Sequence, residues 1–373
     1  MTGTAFLEAA VAPHFRIDGE LSHVEPFGTG HINRTYLAHY RDGNGGARYV
    51  YQHINDAVFT DVPAMMQNIA RVTAHVRSKL RAGDLDDAHR RVLTLVPKQA
   101  RTDDDHDALQ AEDGSWWRAY RFIDGARTYD TLDDPRRAYR AAKTFGTFIE
   151  MLADLEGARL HETIPSFHLT PKRFDDFVAA VEDDPLGRAA EVKREIAFVE
   201  RNARLAGALE ALRADGSARE CATHNDTKIN NVMIDDLTGE GLCVIDLDTV
   251  MPGLALYDFG DMVRTATMRA DEDERDLSLV EVDVPMFAAV ARGFVDGCGV
   301  MLGAAEREHL VTAGRVITFE CGMRFLTDHL RGDTYFRIHR PGQNLDRART
   351  QFALVESLTR SEAALRAVQS ETT

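Results

Sequence analysis

The run Thr223-His224-Asn225-Asp226-Thr227-Lys228-Ile229-Asn230-Asn231 sets a carboxylate five residues ahead of an amide, in the pattern H-x-D-x-x-x-x-N. In a catalytic loop of that spacing the Asp meets an attacking hydroxyl and the Asn binds magnesium. Phosphoryl transfer explains both residue types. A carboxylate, Asp226, orients the hydroxyl and accepts its proton, while an oxygen ligand, Asn231, holds a hard cation carried by the nucleotide. Further on, Cys243-Val244-Ile245-Asp246-Leu247-Asp248 reads as an apolar strand ending in an acid. Such a strand projects the acid into the same cleft, so Asp246 is the natural second magnesium ligand and Asp248 a helper. Phe27-Gly28-Thr29-Gly30-His31-Ile32-Asn33 is a glycine turn between two strands. It lacks a third glycine and leads into a strand, so it fails as a dinucleotide fingerprint. A hairpin over the phosphates of ATP fits better, because glycines let backbone N–H groups approach the oxygens. Asp258-Phe259-Gly260 spells a protein-kinase metal motif, yet it follows a Pro252-Gly253 loop instead of closing a strand. Its expected role is a cap on a helix starting at Phe259.

These residues need elements to position them. Strand-like runs fall at about 20–27, 34–40, 47–53, 92–97 and 116–123, separated by Gly- and Asp-rich turns. One helix interrupts them, because Val62, Met65, Met66, Ile69, Val72 and Val76 recur at helical spacing from Val62 to Leu80. Past Gly125 helical patterns dominate, over about 134–154, 172–182, 190–213, 284–297, 304–330 and 343–367. Two short strands, 231–235 and 242–246, break them. The expected fold class is α+β and bilobal: an antiparallel β-rich N-terminal lobe (1–121) with one inserted helix, a hinge (122–126), and a mainly helical C-terminal lobe (127–373).

Composition narrows the partners. The chain has 373 residues, a formal charge of −16 and 44% apolar residues, enough for a sizeable core in two lobes. An acidic surface without basic runs predicts no nucleic-acid partner and no anionic membrane partner. No uninterrupted apolar stretch of about 18 residues suggests a span, and residues 1–15 lack a basic start followed by an apolar run. Cys221, Cys243, Cys298 and Cys321 lie far apart, without a C-x-x-C pair, as expected of buried thiols in a reducing cytoplasm. A P-loop lysine, H-E-x-x-H and G-x-S-x-G are all absent. The sequence leaves the oligomeric state open.

The motifs together resemble the aminoglycoside phosphotransferase-like small-molecule kinases, relatives of the protein kinases. Within that group the chain is most similar to the N-acetylhexosamine 1-kinases, from about Ala5 to Leu358. The likeness is carried by Gly28-Thr29-Gly30-His31-Ile32-Asn33, His224-Asn225-Asp226-Thr227-Lys228, Ile245-Asp246-Leu247-Asp248-Thr249-Val250-Met251-Pro252-Gly253, and Phe319-Glu320-Cys321-Gly322-Met323-Arg324-Phe325-Leu326-Thr327-Asp328. The resemblance implies ATP and Mg²⁺ bound between the lobes and a sugar held by the C-terminal lobe. It implies that Asp226 is the base, that Asn231 and Asp246 hold the metal, and that the backbone of Phe122, Ile123 and Asp124 meets adenine. Phosphate would pass to the anomeric C1 hydroxyl of N-acetylglucosamine or N-acetylgalactosamine. That hydroxyl is a hemiacetal, more acidic than an ordinary alcohol, which suits a weak base.

One departure matters. The wider fold usually carries a lysine on the third strand, paired with a glutamate on the inserted helix. Here Gln52 stands at that place and the helix from Val62 to Leu80 has no glutamate. Another cation must serve the phosphates, and Lys228, beside Asp226, is the candidate. Glu320, Arg324 and Asp328 at i, i+4 and i+8 form a polar stripe amid apolar residues, the pattern of donors and acceptors that sugar hydroxyls need. His31 is placed to reach a phosphate or the sugar. Two alternatives stay open: a kinase for another small alcohol (another sugar, an amino sugar or an aminoglycoside), and a sensor of nucleotide or sugar without catalysis.

Overall fold

In the computed structural model the described residues are 3–28, 32–41, 46–83, 87–100, 106–131 and 133–372. They form two units, one from Met1–Ala126, Asp154–Pro165 and Leu242–Met251, the other from Arg127–Ala153, Ser166–Gly241 and Pro252–Thr373. An antiparallel sheet in the first unit and a mainly helical second unit match the expected α+β, kinase-like class.

The first unit is built on strands β1 (Glu20–Pro26), β2 (Arg34–Arg41), β3 (Ala47–Ile54), β4 (Leu109–Gln110) and β5 (Trp116–Arg121), in the order β1-β2-β3-β5-β4. Alternation gives the sheet two different faces. Tyr36, Ala38 and Tyr40 of β2, Tyr51 of β3, and Trp117 and Ala119 of β5 join Leu7, Val11 and Phe15 in one apolar core. The register sets Thr35 beside Gln52 and Gln52 beside Arg118, which puts these polar side chains on the opposite face. Helix α1 (Val62–Ala82) starts at Asp61, whose carboxylate accepts from the Ala64 N–H at 3.0 Å, with Pro63 in the first turn. It buries Val62, Met65, Met66, Ile69, Val72, Val76 and Leu80, the periodic set. The segment 92–97 is not a strand. It runs beside β5 through two main-chain bonds, Val96 N–H to Ala119 O and Arg121 N–H to Thr94 O, both 2.9 Å, while Leu109–Gln110 takes the edge position.

The second unit packs α2 (Pro135–Leu152), α3 (Thr170–Asp183), α4 (Ala255–Ala266), α5 (Val284–Cys298), α6 (Leu310–Arg331) and α7 (Gln343–Arg360). The pattern at 190–213 breaks into Lys193–Arg201 and Ala208–Ala214 with the 3-10 turn Ala203–Leu205 between them, and those at 304–330 and 343–367 each break into two helices, at His309 and Ser361. Helices α2 and α5 touch backbone to backbone. A Cβ added to Gly293 would lie 2.2 Å from the Tyr139 carbonyl oxygen, so only glycine permits this approach. Among the described residues Val284–Met301 is the one helical segment long and apolar enough to cross a bilayer. Arg292 and Asp296 interrupt it, and its small face is buried against α2.

Candidate active site

The loop around Asp226 is anchored from several directions. His224 is fully buried against the edges of Phe145 and Phe148 on α2, at 5.4 and 6.3 Å between ring centres. Asp258 accepts the main-chain N–H of His224 at 2.8 Å and of Asn225 at 2.6 Å, and its own carbonyl receives the Thr227 hydroxyl at 2.6 Å. This corrects the expected capping role. Helix α4 begins at Ala255, so Asp258 lies a turn inside it, where its carboxylate serves the loop instead of the helix's own first N–H groups. Burial pushes the Asp258 carboxyl up to about 6, against the pull of those two N–H donors.

Asp226 sits among cations and donors. Lys228 Nζ is 3.5 Å from its Oδ1, and the Asn231 amide donates to its carbonyl at 2.8 Å and to Oδ2 at 3.3 Å. Burial alone would raise the Asp226 pKa, but Lys228, helped by Arg264, holds it below the ordinary carboxylate range. In return Asp226 pushes the Lys228 ammonium up to about 12. With its nitrogen spent on Asp226, Asn231 presents its Oδ1 as an oxygen donor. Two Asp226–Lys228 charges at this distance keep the acid ionised at neutral pH.

The polar stripe on α6 divides by function. Glu320 is 1% exposed, with Oε1 at 2.7 Å from His168 Nδ1 and Oε2 accepting the Thr170 hydroxyl at 2.6 Å. Asp328 accepts the N–H groups of Thr334, Tyr335 and Phe336 and the Asn344 amide, at 2.8–2.9 Å. Arg324 differs. Among the described residues it makes neither hydrogen bond nor ion pair, and its guanidinium lies over Phe167, Phe336 and Tyr335 at 4.8, 5.5 and 5.9 Å. It lines a cavity of about 240 Å³ with Arg173, Asp328, Arg331, Tyr335 and Phe336.

In the first unit the sequence-derived residues gather round a cation that the sequence reading missed. Arg118 on β5 is fully buried; its Nη1 lies 2.5 Å from Asp248 Oδ1 and its Nε donates to Gln52 Oε1 at 2.9 Å. Nη1 also approaches Met66 Sδ at 3.9 Å, and Nη2 has no hydrogen-bond partner among the described residues. Gln52 donates onward to Thr35 at 3.3 Å. Asn33 gives its amide N–H to Asp248 Oδ2 at 2.7 Å and accepts from the Asn55 N–H at 3.0 Å. Asp246 itself takes a left-handed conformation, φ 60°, where the strand Gly241–Val244 gives way to the turn Leu247–Thr249. Asn68 of α1 holds the end of that turn by donating to Val250 O at 3.0 Å. The turn bearing Asp246 is therefore fixed by an ion pair in its middle and a hydrogen bond at its end.

Phe122 donates its N–H to Arg48 O at 3.0 Å and lies under the Arg48 guanidinium at 4.1 Å; Ile123 is buried. The Asp124 carboxylate pairs with Arg48, and its carbonyl accepts Arg90 Nε at 3.1 Å. Gly28 has φ +76°, as a tight turn requires. Thr29, Gly30 and His31 lie outside the described residues. An arginine in the interior of the strand Trp116–Arg121, flanked by Trp117 and Ala119, was a faint signal for Arg118; His168 had none, since its partners are remote in sequence.

Comparison with known proteins identifies the family and the fold. The profile of the Phosphotransferase enzyme family (APH) matches residues 23–283, and the chain belongs to that family. Similar solved structures include an aminoglycoside phosphotransferase from Alicyclobacillus acidocaldarius, 16% identical over 96% of this chain and 94% of that one, with a TM-score of 0.53. A Plasmodium vivax ethanolamine kinase is 13% identical over 87% and 80%, at 0.52. A spectinomycin phosphotransferase, solved with ADP and spectinomycin, is 13% identical over 95% and 97%, also at 0.52. At these identities the likeness is one of fold.

Proposed function

We propose that the chain transfers the γ-phosphate of ATP to the anomeric C1 hydroxyl of an N-acetylhexosamine, N-acetylglucosamine or N-acetylgalactosamine. The observation that carries transfer is Asp226: anchored by its loop, held ionised by Lys228, and bonded to Asn231. In this reading Asp226 accepts the acceptor's proton and Lys228 neutralises charge on the γ-phosphate. Residues 1–121 form the nucleotide lobe, 122–126 the hinge with Phe122, Ile123 and Asp124 toward adenine, and 127–373 the acceptor lobe. Gly28, Thr29, Gly30 and His31 are assigned to the phosphates on their sequence, and Asn33 and Gln52 brace Asp248 and Arg118.

The donor set suits Mg²⁺. Among the described residues no three His, Cys, Asp or Glu side chains form a self-contained cage, and Mg²⁺ carried by phosphates needs only one or two protein oxygens. Asn231 and Asp246 would supply them, and the bound ion would neutralise phosphate charge. Asp248, spent on Arg118 and Asn33, acts here by holding the Asp246 turn.

The acceptor reading draws its support from charge. A cationic acceptor wants free carboxylates, but Glu320, Asp328 and Asp248 are all consumed by internal hydrogen bonds. Arg324 keeps its donors for a hydroxyl or an acetamido carbonyl, and Tyr335 and Phe336 offer flat apolar walls. A transfer assay with Mg-ATP tests the proposal. N-acetylhexosamines should give the highest kcat/KM in a panel of sugars, amino sugars, aminoglycosides and choline, and Asp226→Asn should abolish transfer with ATP binding kept. No turnover of either N-acetylhexosamine overturns it.

A further inference from the structure

We propose that His168, as an imidazolium, is a positioning residue for the base: it grips the peptide plane that aims Asp226. The proposal rests on the reading of Asp226 given above. The Asn225 carbonyl and the Asp226 N–H belong to one peptide unit, which is planar. His168 Nε2 is 2.9 Å from that carbonyl oxygen, and the Asp226 N–H meets His224 Nδ1 at 3.3 Å. The plane is held at both edges, and its tilt sets the direction in which the Asp226 side chain leaves the loop.

The protonation of His168 follows from its partners. A main-chain carbonyl only accepts, so Nε2 donates. The carboxylate of Glu320 already receives the Thr170 hydroxyl on Oε2, and its Oε1 lies 2.7 Å from Nδ1, so Nδ1 donates as well. Two donating nitrogens make an imidazolium. Burial would lower the His168 pKa, but Glu320 beside it holds it above the ordinary histidine range. The titratable groups facing it are Glu320 and Arg324 from α6 and Asp258 and the neutral Tyr257 from α4. Asn225 needs this grip because it stands at φ +64°, a region that non-glycine residues keep only when their surroundings over-determine it.

Histidine ring NMR on the full-length protein tests the proposal, with His168→Gln used to assign the signal. At pH 7.5 the His168 ring should carry protons on both nitrogens; a neutral tautomer there would overturn the proposal. Steady-state kinetics supply the second arm. His168→Gln should lower kcat by about 10²-fold, the loss a misaimed group produces, with the KM for ATP within about twofold. Glu320→Gln, nearly isosteric, should move the alkaline limb of the kcat–pH profile to lower pH, because the imidazolium loses its counter-charge. An unchanged kcat in His168→Gln, or an unmoved limb in Glu320→Gln, refutes the positioning role. Failure of the functional reading looks different: wild-type protein would then turn over no acceptor, while the NMR arm still decides the charge of His168.

Discussion

Arg118→Met is the most informative perturbation of the first unit. The arginine side chain is 0% exposed and its partner Asp248 only 3%. Its removal strands a carboxylate out of water with, among the described residues, only the Asn33 amide to offset it. Breaking one side of such a buried pair costs about 3–5 kcal/mol, whereas replacing both charges by groups of similar shape is often close to neutral. Methionine follows the arginine stem beside Met66, so little cavity is added. At about 2–4 °C per kcal/mol for a unit of this size, the melting temperature of Arg118→Met should fall by roughly 6–20 °C. The double variant Arg118→Met/Asp248→Asn keeps an acceptor for Asn33 and removes the orphan charge, so it should recover at least about 2 kcal/mol. Calorimetry and urea unfolding of the four proteins measure the cycle. A single variant within about 1 kcal/mol of wild type, or a double variant at least as unstable as the single, would refute the reasoning.

Other expectations are quickly stated. Gly293→Ala should destabilise the second unit by about 1–3 kcal/mol despite its better helix propensity, since its Cβ would sit 2.2 Å from the Tyr139 carbonyl; a melting temperature at or above wild type contradicts the close α2–α5 contact. Arg324→Ala should lower acceptor kcat/KM about tenfold to a hundredfold, the worth of a charged hydrogen bond of about 1.5–3 kcal/mol, with the KM for ATP unmoved. The His168–Glu320 pair predicts a pH window for stability. His168 is raised in the folded state, so its contribution is full below about 6.5 and fades as pH climbs through the folded value; Glu320 is depressed, so its contribution is present above about 4.5 and fades as pH falls through its folded value. Stability from this pair should therefore peak between those limits, and His168→Gln should flatten the alkaline side of the unfolding profile.

Much of the architecture was legible because it rests on local periodicity. Alternating residues placed β2, β3 and β5, and the six apolar positions from Val62 to Val76 placed α1. The segment 92–97 misled because its apolar run is buried beside β5 without joining the ladder beyond an isolated bridge at Leu95. Helix breaks between Asn202 and Gly207, at His309 and at Ser361 were hidden since apolar spacing continues across them. The start of α4 was misread for a local reason: its N-cap is Leu254, which makes no side-chain cap, so the nearby Asp258 looked like the cap it is not. The spacing of Asp226 and Asn231 sufficed to find the centre of the site. Their supports were not visible, because His168 reaches Glu320 and Arg118 reaches Asp248 across long stretches of chain. Residue type alone could not tell that Glu320 and Asp328 spend their oxygens on the fold, whereas Arg324 keeps its donors.

The central claim is transfer to an anomeric hydroxyl, and the product reports it most directly. Wild-type protein incubated with Mg-ATP and N-acetylglucosamine or N-acetylgalactosamine should form a sugar phosphate whose ³¹P signal couples to H1. Mild acid should release that phosphate, as expected of a glycosyl phosphate, and Asp226→Asn should form none. A product phosphorylated at another carbon and stable to acid, or no product from either sugar, would contradict the account.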